Sequence, residues 1–157
     1  MTDPDISFLV SIVPAAKGRP RFARATGRAY TPGATADAER SFRSLAMAHR
    51  PAEPLEGPLF VQLVFGVPIP QKSHWWHAAA VARCVWPTPR PDLDNYEKLV
   101  LDALNRIFWR DDSQIVKVEK MKAYAPSPFI SVRISKIAQP DTATEWKTWQ
   151  RKMEEAL

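Results

Sequence analysis

Residues 90–114 read RPDLDNYEKLVLDALNRIFWRDDSQ, and this stretch decides the predicted fold because it joins an amphipathic helix to a group of acids. A helix is expected over 95–107, since the apolar residues recur at the spacing of one buried helical face. Asp94 has the chemistry of a helix N-cap, and Glu97 stands where a capping box has its acid. The turn at Asp112 is followed by a strand-like run, so the stretch predicts a helix and then a strand.

Three aspartates of this stretch are expected to meet at one point. Asp92 and Asp94 are two residues apart, and side chains two apart on an extended chain point to the same side. Asp112 comes just before the predicted strand 114–124, so a third carboxylate returns from an adjacent strand. Lys98 lies four residues after Asp94, on the polar edge of the helix.

Several carboxylates around one lysine suit metal-dependent hydrolysis of a phosphodiester. Mg²⁺ and Mn²⁺ prefer oxygen ligands and complete their coordination with water and substrate phosphate oxygens. Lys98 would hold a phosphate or stabilise charge in the transition state. A structural interpretation of the acids stays open here, in which Asp94 caps the helix and pairs with Lys98 while Asp111 and Asp112 form a turn.

Upstream, the glycine- and proline-punctuated segment 17–31 predicts a loop or loose hairpin with a strong positive charge. Such a segment is suited to following a phosphate backbone. The alternative is a basic loop that is only solvated. Its five cations are Lys17, Arg19, Arg21, Arg24 and Arg28.

The remaining segments predict an α+β fold, with a small mixed sheet of about four strands packed with helices. Apolar and β-branched runs predict the strands, and apolar residues at three- and four-residue steps predict the helices. The strands are expected near 6–13, 59–69, 114–124 and 129–137, and the helices near 35–49, 73–82, 95–107 and 142–156. The short turn between the last two strands predicts that they are antiparallel neighbours.

The composition favours a polyanionic partner. The chain has 157 residues and a formal net charge of +5 at pH 7, with an isoelectric point near 9.6. This charge fits nucleic acid, although alone it does not separate nucleic acid from an anionic membrane. A single domain over 1–157 is expected at this length. The single Cys84 excludes an internal disulfide and fits a reducing cytoplasm, and neither a membrane span nor a signal peptide is indicated.

Two tryptophan-containing segments allow more than one interpretation. Between residues 71 and 89, aromatic rings could stack on unpaired bases and Lys72 could hold a phosphate, whereas Trp75 or Trp76 could instead fill a local core. In the segment 141–157 the tryptophans share one helical face, which is more often buried packing than a ligand site. Whether that helix covers its own core, joins a dimer interface or extends a DNA surface is open at this stage.

Several short groups of residues carry a family resemblance. They are Arg90-Pro91-Asp92-Leu93-Asp94-Asn95, Lys98, Asp102-Ala103-Leu104-Asn105 and Asp111-Asp112-Ser113-Gln114, with Lys17-Gly18-Arg19-Pro20-Arg21 upstream. Together they closely resemble the RusA family of Holliday junction resolvases, over about Phe8 to Ile137. Asp102 and Asp111 lie in the motif and are given supporting roles. One departure is Arg106, which stands where many members carry glycine.

The resemblance implies a small Mg²⁺-dependent homodimeric endonuclease that nicks two opposed strands of a four-way DNA junction, with Mn²⁺ as a substitute metal. Carried over by position, Asp92, Asp94 and Asp112 match the family's metal-binding carboxylates. Lys98 matches its catalytic lysine. The expected DNA-binding set is Lys17, Arg19, Arg21, Arg24, Arg28, Lys72 and Arg90.

Three other functions stay open. A less selective branched-DNA nuclease would use the same residues, and a non-catalytic DNA-binding module would explain the charge but not the converging acids. A calcium-binding loop is a poor fit, because it needs a ligand where Tyr96 stands, a glycine where Glu97 stands and an acid where Ala103 stands.

Overall fold

The computed structural model describes residues 5–18, 21–22, 29–30, 33–71, 74–140 and 142–155. The strands are β1 (Ile6–Val10), β2 (Arg21–Phe22), β3 (Ala29–Tyr30), β4 (Leu59–Pro68), β5 (Ile115–Ala125) and β6 (Phe129–Lys136). The helices are α1 (Gly33–Ala46), α2 (His74–Val81), α3 (Leu93–Leu104) and α4 (Ala143–Glu155), with 3₁₀ turns at Met47–His49 and Asp112–Gln114. The predicted α+β class is confirmed, and each predicted strand and helix has a counterpart.

A four-stranded mixed sheet forms the centre of the fold, in the order β1-β6-β4-β5. β6 pairs antiparallel with β1 and β4, whereas β4 and β5 are parallel. A parallel pair needs a crossover connection, and here that connection carries α2 and α3. Ile115 pairs with Leu59 at one end of β5, and Ala125 pairs with Pro68 at the other. α3 therefore leads the chain from the Pro68 end of the sheet back to the Leu59 end.

The predicted pairing of the last two strands is wrong, because β4 lies between β5 and β6. The short connection from Ala125 to Phe129 crosses the end of β4 instead of closing a hairpin. Gly66 makes the crossing feasible, since a Cβ at this position would lie 2.4 Å from the Phe129 ring. A turn signal in the sequence fixes the length of a connection, but it does not identify the strand that lies beside it.

One face of the sheet packs against α1 and α3. From Leu59 to Phe65 every second residue of β4 is buried, which is the period of a strand with one face in the core. Phe65 stacks on Tyr96 of α3, with ring centroids 5.2 Å apart. At the other end of α3, Arg43 Nε of α1 donates a 2.9 Å hydrogen bond to the carbonyl of Ala103. The helix is therefore held at both ends.

α3 begins and ends at other residues than predicted. Its N-cap is Asp92, not Asp94, and the Asp92 side chain makes no capping hydrogen bond. The predicted capping box is also wrong, since Glu97 forms an ion pair with Lys120 of β5. The helix stops three residues before its predicted end, and Arg106 has a φ of 64°. That left-handed conformation costs glycine least, so the arginine adopts the kind of turn that glycine would make there.

The tryptophans divide into packed and exposed ones. Trp76 packs edge-on against Tyr124 at a centroid distance of 5.1 Å, which confirms that one of the α2 tryptophans fills a local core. Trp75 is 68% exposed. On α4, Trp146 and Trp149 are exposed as well, so these two rings do not cover the chain's own core.

Candidate active site

Asp92 and Asp94 stand at the amino-terminal end of α3, where the helix dipole favours negative charge. Both residues are exposed. Asp92 lines an open cleft of about 560 Å³. The other residues lining the cleft are Lys17, Gly18, Arg90, Pro91 and Asn95. A carboxylate without a capping partner thus faces a cleft that two cationic residues border.

Backbone contacts hold the walls of this cleft. The amide of Lys17 donates to the carbonyl of Asn95 at 2.9 Å and ties the segment after β1 to α3. Lys122 Nζ of β5 donates to the carbonyls of Pro89 and Pro91, at 3.0 Å each. Three separate parts of the chain therefore meet at the start of α3, beside the carboxyl-terminal half of β5.

The ammonium of Lys17 is held by two acids. Its Nζ pairs with Asp102 of α3 and, at 3.3 Å, with Glu39 of α1, while its side chain is only 21% exposed. Burial alone would lower the pKa of Lys17, but the hydrogen bond to Asp102 and the charges of both acids outweigh it and raise the pKa. The phosphate contact expected of Lys17 stays a prediction, and the ion pairs give it a structural role beside that one.

Asp112 lies in the 3₁₀ turn directly before β5. The indole Nε1 of the fully buried Trp109 donates to Asp112 Oδ1 at 2.7 Å. Burial raises the pKa of Asp112 and the Trp109 hydrogen bond opposes this, while the charges of Asp102 and Asp111 raise the pKa further. Negative charge is thus disfavoured at Asp112, and a cation near it would be stabilising.

Asp111 shapes the turn that presents Asp112. Its side chain accepts a hydrogen bond from the Ser113 amide at 2.9 Å, and Gln114 Oε1 accepts one from the Asp111 amide at 3.1 Å, which forms a capping box. The hydrogen bonds from Ser113 lower the pKa of Asp111. These contacts favour a supporting, structural role for Asp111.

The structure does not bring the three predicted metal ligands together within one chain. Asp92 and Asp94 lie at the start of α3 and Asp112 lies beyond its end. α3 has 12 residues, and a helix of that length spans roughly 18 Å. In the described part of the chain, no three acidic, histidine or cysteine side chains are grouped so that they could hold a metal ion. Lys98 is exposed and follows Asp94 by one turn, so it belongs to the Asp92 end.

The expected DNA contacts are described only in part. Arg90 borders the cleft. Arg21 lies in β2, which pairs with β3 and confirms the predicted hairpin, but its side chain lies outside the description. The remaining members of the set also lie outside the described residues, and they are Arg19, Arg24, Arg28 and Lys72.

Sequence reasoning missed three residues that shape the site, namely Glu39, Trp109 and Lys122. Glu39 and Lys122 reach their partners from other elements of the fold, so no local pattern could identify them. Trp109 precedes Asp112 by three residues, and its closeness to the acidic pair was a usable signal. No helix within the described ranges is long and apolar enough to cross a membrane.

Comparison with known proteins adds a family to this geometry. The family described as Endodeoxyribonuclease RusA matches residues 11–135. The chain is 32% identical over 138 residues to "Uncharacterized protein YqaN" of Bacillus subtilis (strain 168), an alignment that covers 85% of this chain and 97% of that protein. It is 33% identical over 100 residues to "Crossover junction endodeoxyribonuclease rusA" of Lactococcus phage r1t, covering 62% of this chain and 70% of that protein.

These similarities make the chain an endodeoxyribonuclease, an enzyme that hydrolyses phosphodiester bonds of DNA. The chain belongs to the RusA family, as the motifs around Asp92 and Asp112 indicated. α4 lies beyond the matched residues.

Proposed function

We propose that this chain is a Mg²⁺-dependent, homodimeric endonuclease that resolves four-way DNA junctions by paired symmetric nicks during recombination and repair in the cytoplasm. The observation that carries the proposal is the exposed aspartate pair at the start of α3, beside a cleft bordered by Lys17 and Arg90, in a chain that matches the family over 11–135. The phage relative named for crossover junctions supports the choice of substrate.

The donor set at the start of α3 fits Mg²⁺. This ion is commonly bound through one or two carboxylates, with waters and substrate phosphate oxygens completing its coordination, and Asp92 and Asp94 supply two carboxylates. When bound there, Mg²⁺ would polarise the scissile phosphate and lower the pKa of a water molecule. Mn²⁺ has the same preference for oxygen and is the expected substitute.

Residues of the chain itself are assigned the other roles in catalysis and DNA binding. Asp92 and Asp94 would hold the metal at the amino-terminal end of α3. Lys98 would stabilise the negative charge that develops on the phosphate, because its ammonium lies one turn along the exposed side of the same helix. Arg90 would hold the DNA backbone at the rim of the cleft.

Asp112 requires a second subunit in this proposal. Within its own chain, among the described residues, Asp112 is not grouped with Asp92 and Asp94 as a metal site. A two-fold dimer in which each cleft receives the partner subunit's Asp112 would unite the three carboxylates without unfolding the helix. Such a dimer carries two equivalent sites, and its symmetry matches that of a four-way junction, so paired nicks follow.

Cleavage of labelled four-way junction, duplex and flap DNA, with and without Mg²⁺, tests the activity. Asp94→Asn should lower the rate of junction nicking about a hundred- to a thousandfold while junction binding is retained. Asp37→Asn is the matched control, because Asp37 is an exposed helical aspartate on α1. Junction nicking by Asp94→Asn at the wild-type rate would refute the assignment of the cleft.

A mixing experiment tests the shared site. Asp94→Asn and Asp112→Asn are each expected to be inactive, but a mixed dimer of the two retains one intact site if Asp112 acts in the partner's cleft. Unfolding and refolding the two variants together should therefore restore single-strand nicking. If every site were built within one chain, the mixture would stay inactive, and the arrangement across the dimer would be rejected.

The same substrates separate the two alternatives. A less selective branched-DNA nuclease would cut flap DNA at a rate comparable to that of the junction. A non-catalytic DNA-binding module would bind the junction but leave it intact in both Mg²⁺ and Mn²⁺.

A further inference from the structure

A second pocket lies beside the active-site cleft, and the function proposed above gives it no role. Its volume is about 320 Å³, and it is formed by the segment after β1, the end of β4, the chain before α3, the start of α3 and the end of β5. Arg90 and Pro91 line both the pocket and the cleft that contains Asp92. The two cavities are therefore neighbours with one shared wall.

The walls of this pocket are apolar and conformationally fixed. Six of its 14 lining residues are prolines, which have a fixed φ and no amide donor. Tyr96 and Tyr124 also line it and are only 5% and 7% exposed, and Tyr96 is further held by its stacking on Phe65. A pocket with such walls is largely formed before a ligand arrives, so binding loses little conformational entropy. Its volume is within the range of about 300–1,000 Å³ that is usual for small-molecule sites.

Two cationic residues line the pocket, and one of them lies on the wall that the pocket shares with the cleft. Arg90 is exposed on the shared wall. Lys122 also lines the pocket, and its Nζ is directed to the carbonyls of Pro89 and Pro91 at 3.0 Å each. An occupant with an uncharged ring and an attached anionic group, whose anion lies toward the cleft, therefore matches both the walls and the rim.

We propose that the pocket receives one unpaired nucleobase of the DNA substrate while the attached backbone lies in the neighbouring cleft. The inference rests on the proposed function, which brings DNA into that cleft. A base leaves the stack at least cost where its pairing or stacking is already weakened, and the branch point is where continuous stacking is interrupted. Aromatic and apolar walls accept any base, because every base has a π-face, so the pocket anchors the branch point without selecting a sequence.

A cycle that combines a pocket-filling variant with an abasic DNA tests this inference. Ala16 lines the pocket and is partly buried, so Ala16→Leu reduces its volume. Ala52→Leu is the matched control, since Ala52 is exposed in the loop before β4 and lines neither cavity. Junction binding is measured in EDTA, with an intact junction and with junctions that carry one abasic site at each branch-point position in turn.

One abasic position is expected to weaken binding by the wild-type protein about 5- to 150-fold, the range that corresponds to loss of one stacked base. Ala16→Leu should bind the intact junction more weakly than the wild type does, by a similar factor. The abasic site that weakens binding by the wild type should not weaken binding by Ala16→Leu any further. Ala52→Leu should behave as the wild type does. An equal loss for wild type and Ala16→Leu at every position, or no loss at any, overturns the base pocket.

If Ala16→Leu does not fold, the wild-type protein alone decides the question. A single 2-aminopurine at each branch-point position should change its emission on binding at one position, and unchanged emission at all of them overturns the base pocket. If cleavage is selective for the junction but neither the abasic-site effect nor the emission change is seen, the base pocket is rejected and the proposed function is retained. If the protein neither binds nor cuts the junction in preference to duplex DNA, both the proposed function and the base pocket are rejected.

Discussion

Lys17→Met removes the ammonium between Asp102 and Glu39, and we expect the free energy of unfolding to fall by about 1–3 kcal/mol. The three side chains are 21%, 30% and 20% exposed, which is intermediate between surface and core. Exposed ion pairs contribute roughly 0.2–1 kcal/mol, whereas loss of one partner from a buried pair costs roughly 3–5 kcal/mol. Methionine keeps the apolar length of lysine, so the change reports the charge.

Most of the stability lost in Lys17→Met should come from leaving one of the two acids without its partner. Glu39 keeps its ion pair with Arg43 at 3.1 Å. Asp102 would instead be left near Asp112, where negative charge is already disfavoured. Adding Asp102→Asn to Lys17→Met should therefore restore part of the stability, with a coupling of roughly 0.5–3 kcal/mol between the two positions.

Urea unfolding followed by tryptophan fluorescence measures these differences, and the thermal midpoint should fall by roughly 2–12 °C. Lys17→Arg keeps the charge and should therefore lose less stability than Lys17→Met. Lys117→Met is the matched control, because its pair with Glu119 is 56% and 53% exposed and should contribute no more than about 1 kcal/mol. The reasoning is refuted if Lys17→Met unfolds at the wild-type urea concentration while its junction binding weakens, since Lys17 would then act on DNA alone.

Three further outcomes are expected. Arg106→Gly should raise the free energy of unfolding by up to about 1–2 kcal/mol, because it relieves a left-handed backbone, and a lower urea midpoint would contradict this. Gly66→Ala should cost about 1–3 kcal/mol, since its Cβ would overlap the Phe129 ring, and an unchanged urea midpoint would show that the ring can move aside. Asp112→Asn should abolish nicking without lowering the thermal midpoint. The substitution removes a disfavoured charge, and the amide oxygen of the asparagine can still accept the hydrogen bond from Trp109. A clear loss of stability would show that the charge is structural.

The secondary structure was readable from the sequence because its determinants are local. The alternation of apolar residues in β4 and their helical spacing in α3 identify both elements without knowledge of their partners. Strand order was not readable, since the insertion of β4 between β5 and β6 depends on pairing between distant parts of the chain. The N-cap at Asp92 was missed because Asp94 has the same chemistry, and only the backbone conformation distinguishes them.

The candidate site could also be predicted only in part from the sequence. The motif identified Asp92 and Asp94, and both lie at one end of α3, but the helix begins at Leu93, so the extended backbone expected between them is absent. The contacts of Lys17 were not predictable, because Asp102 is 85 residues away along the chain and a lysine beside several arginines has the sequence pattern of a DNA-binding loop. The separation of Asp112 from the other two acids follows from the direction of α3, which sequence spacing alone does not give.

The parallel pairing of β4 with β5 also affects how the molecule folds. Parallel strands cannot start as a hairpin, and closing the long loop between them costs chain entropy before native contacts compensate. That loop contains Asp92 and Asp94, together with four of the six residues that line the cleft. Docking of β5 and completion of the cleft are therefore expected in one late kinetic step, so a chain trapped before that step would lack the proposed active site.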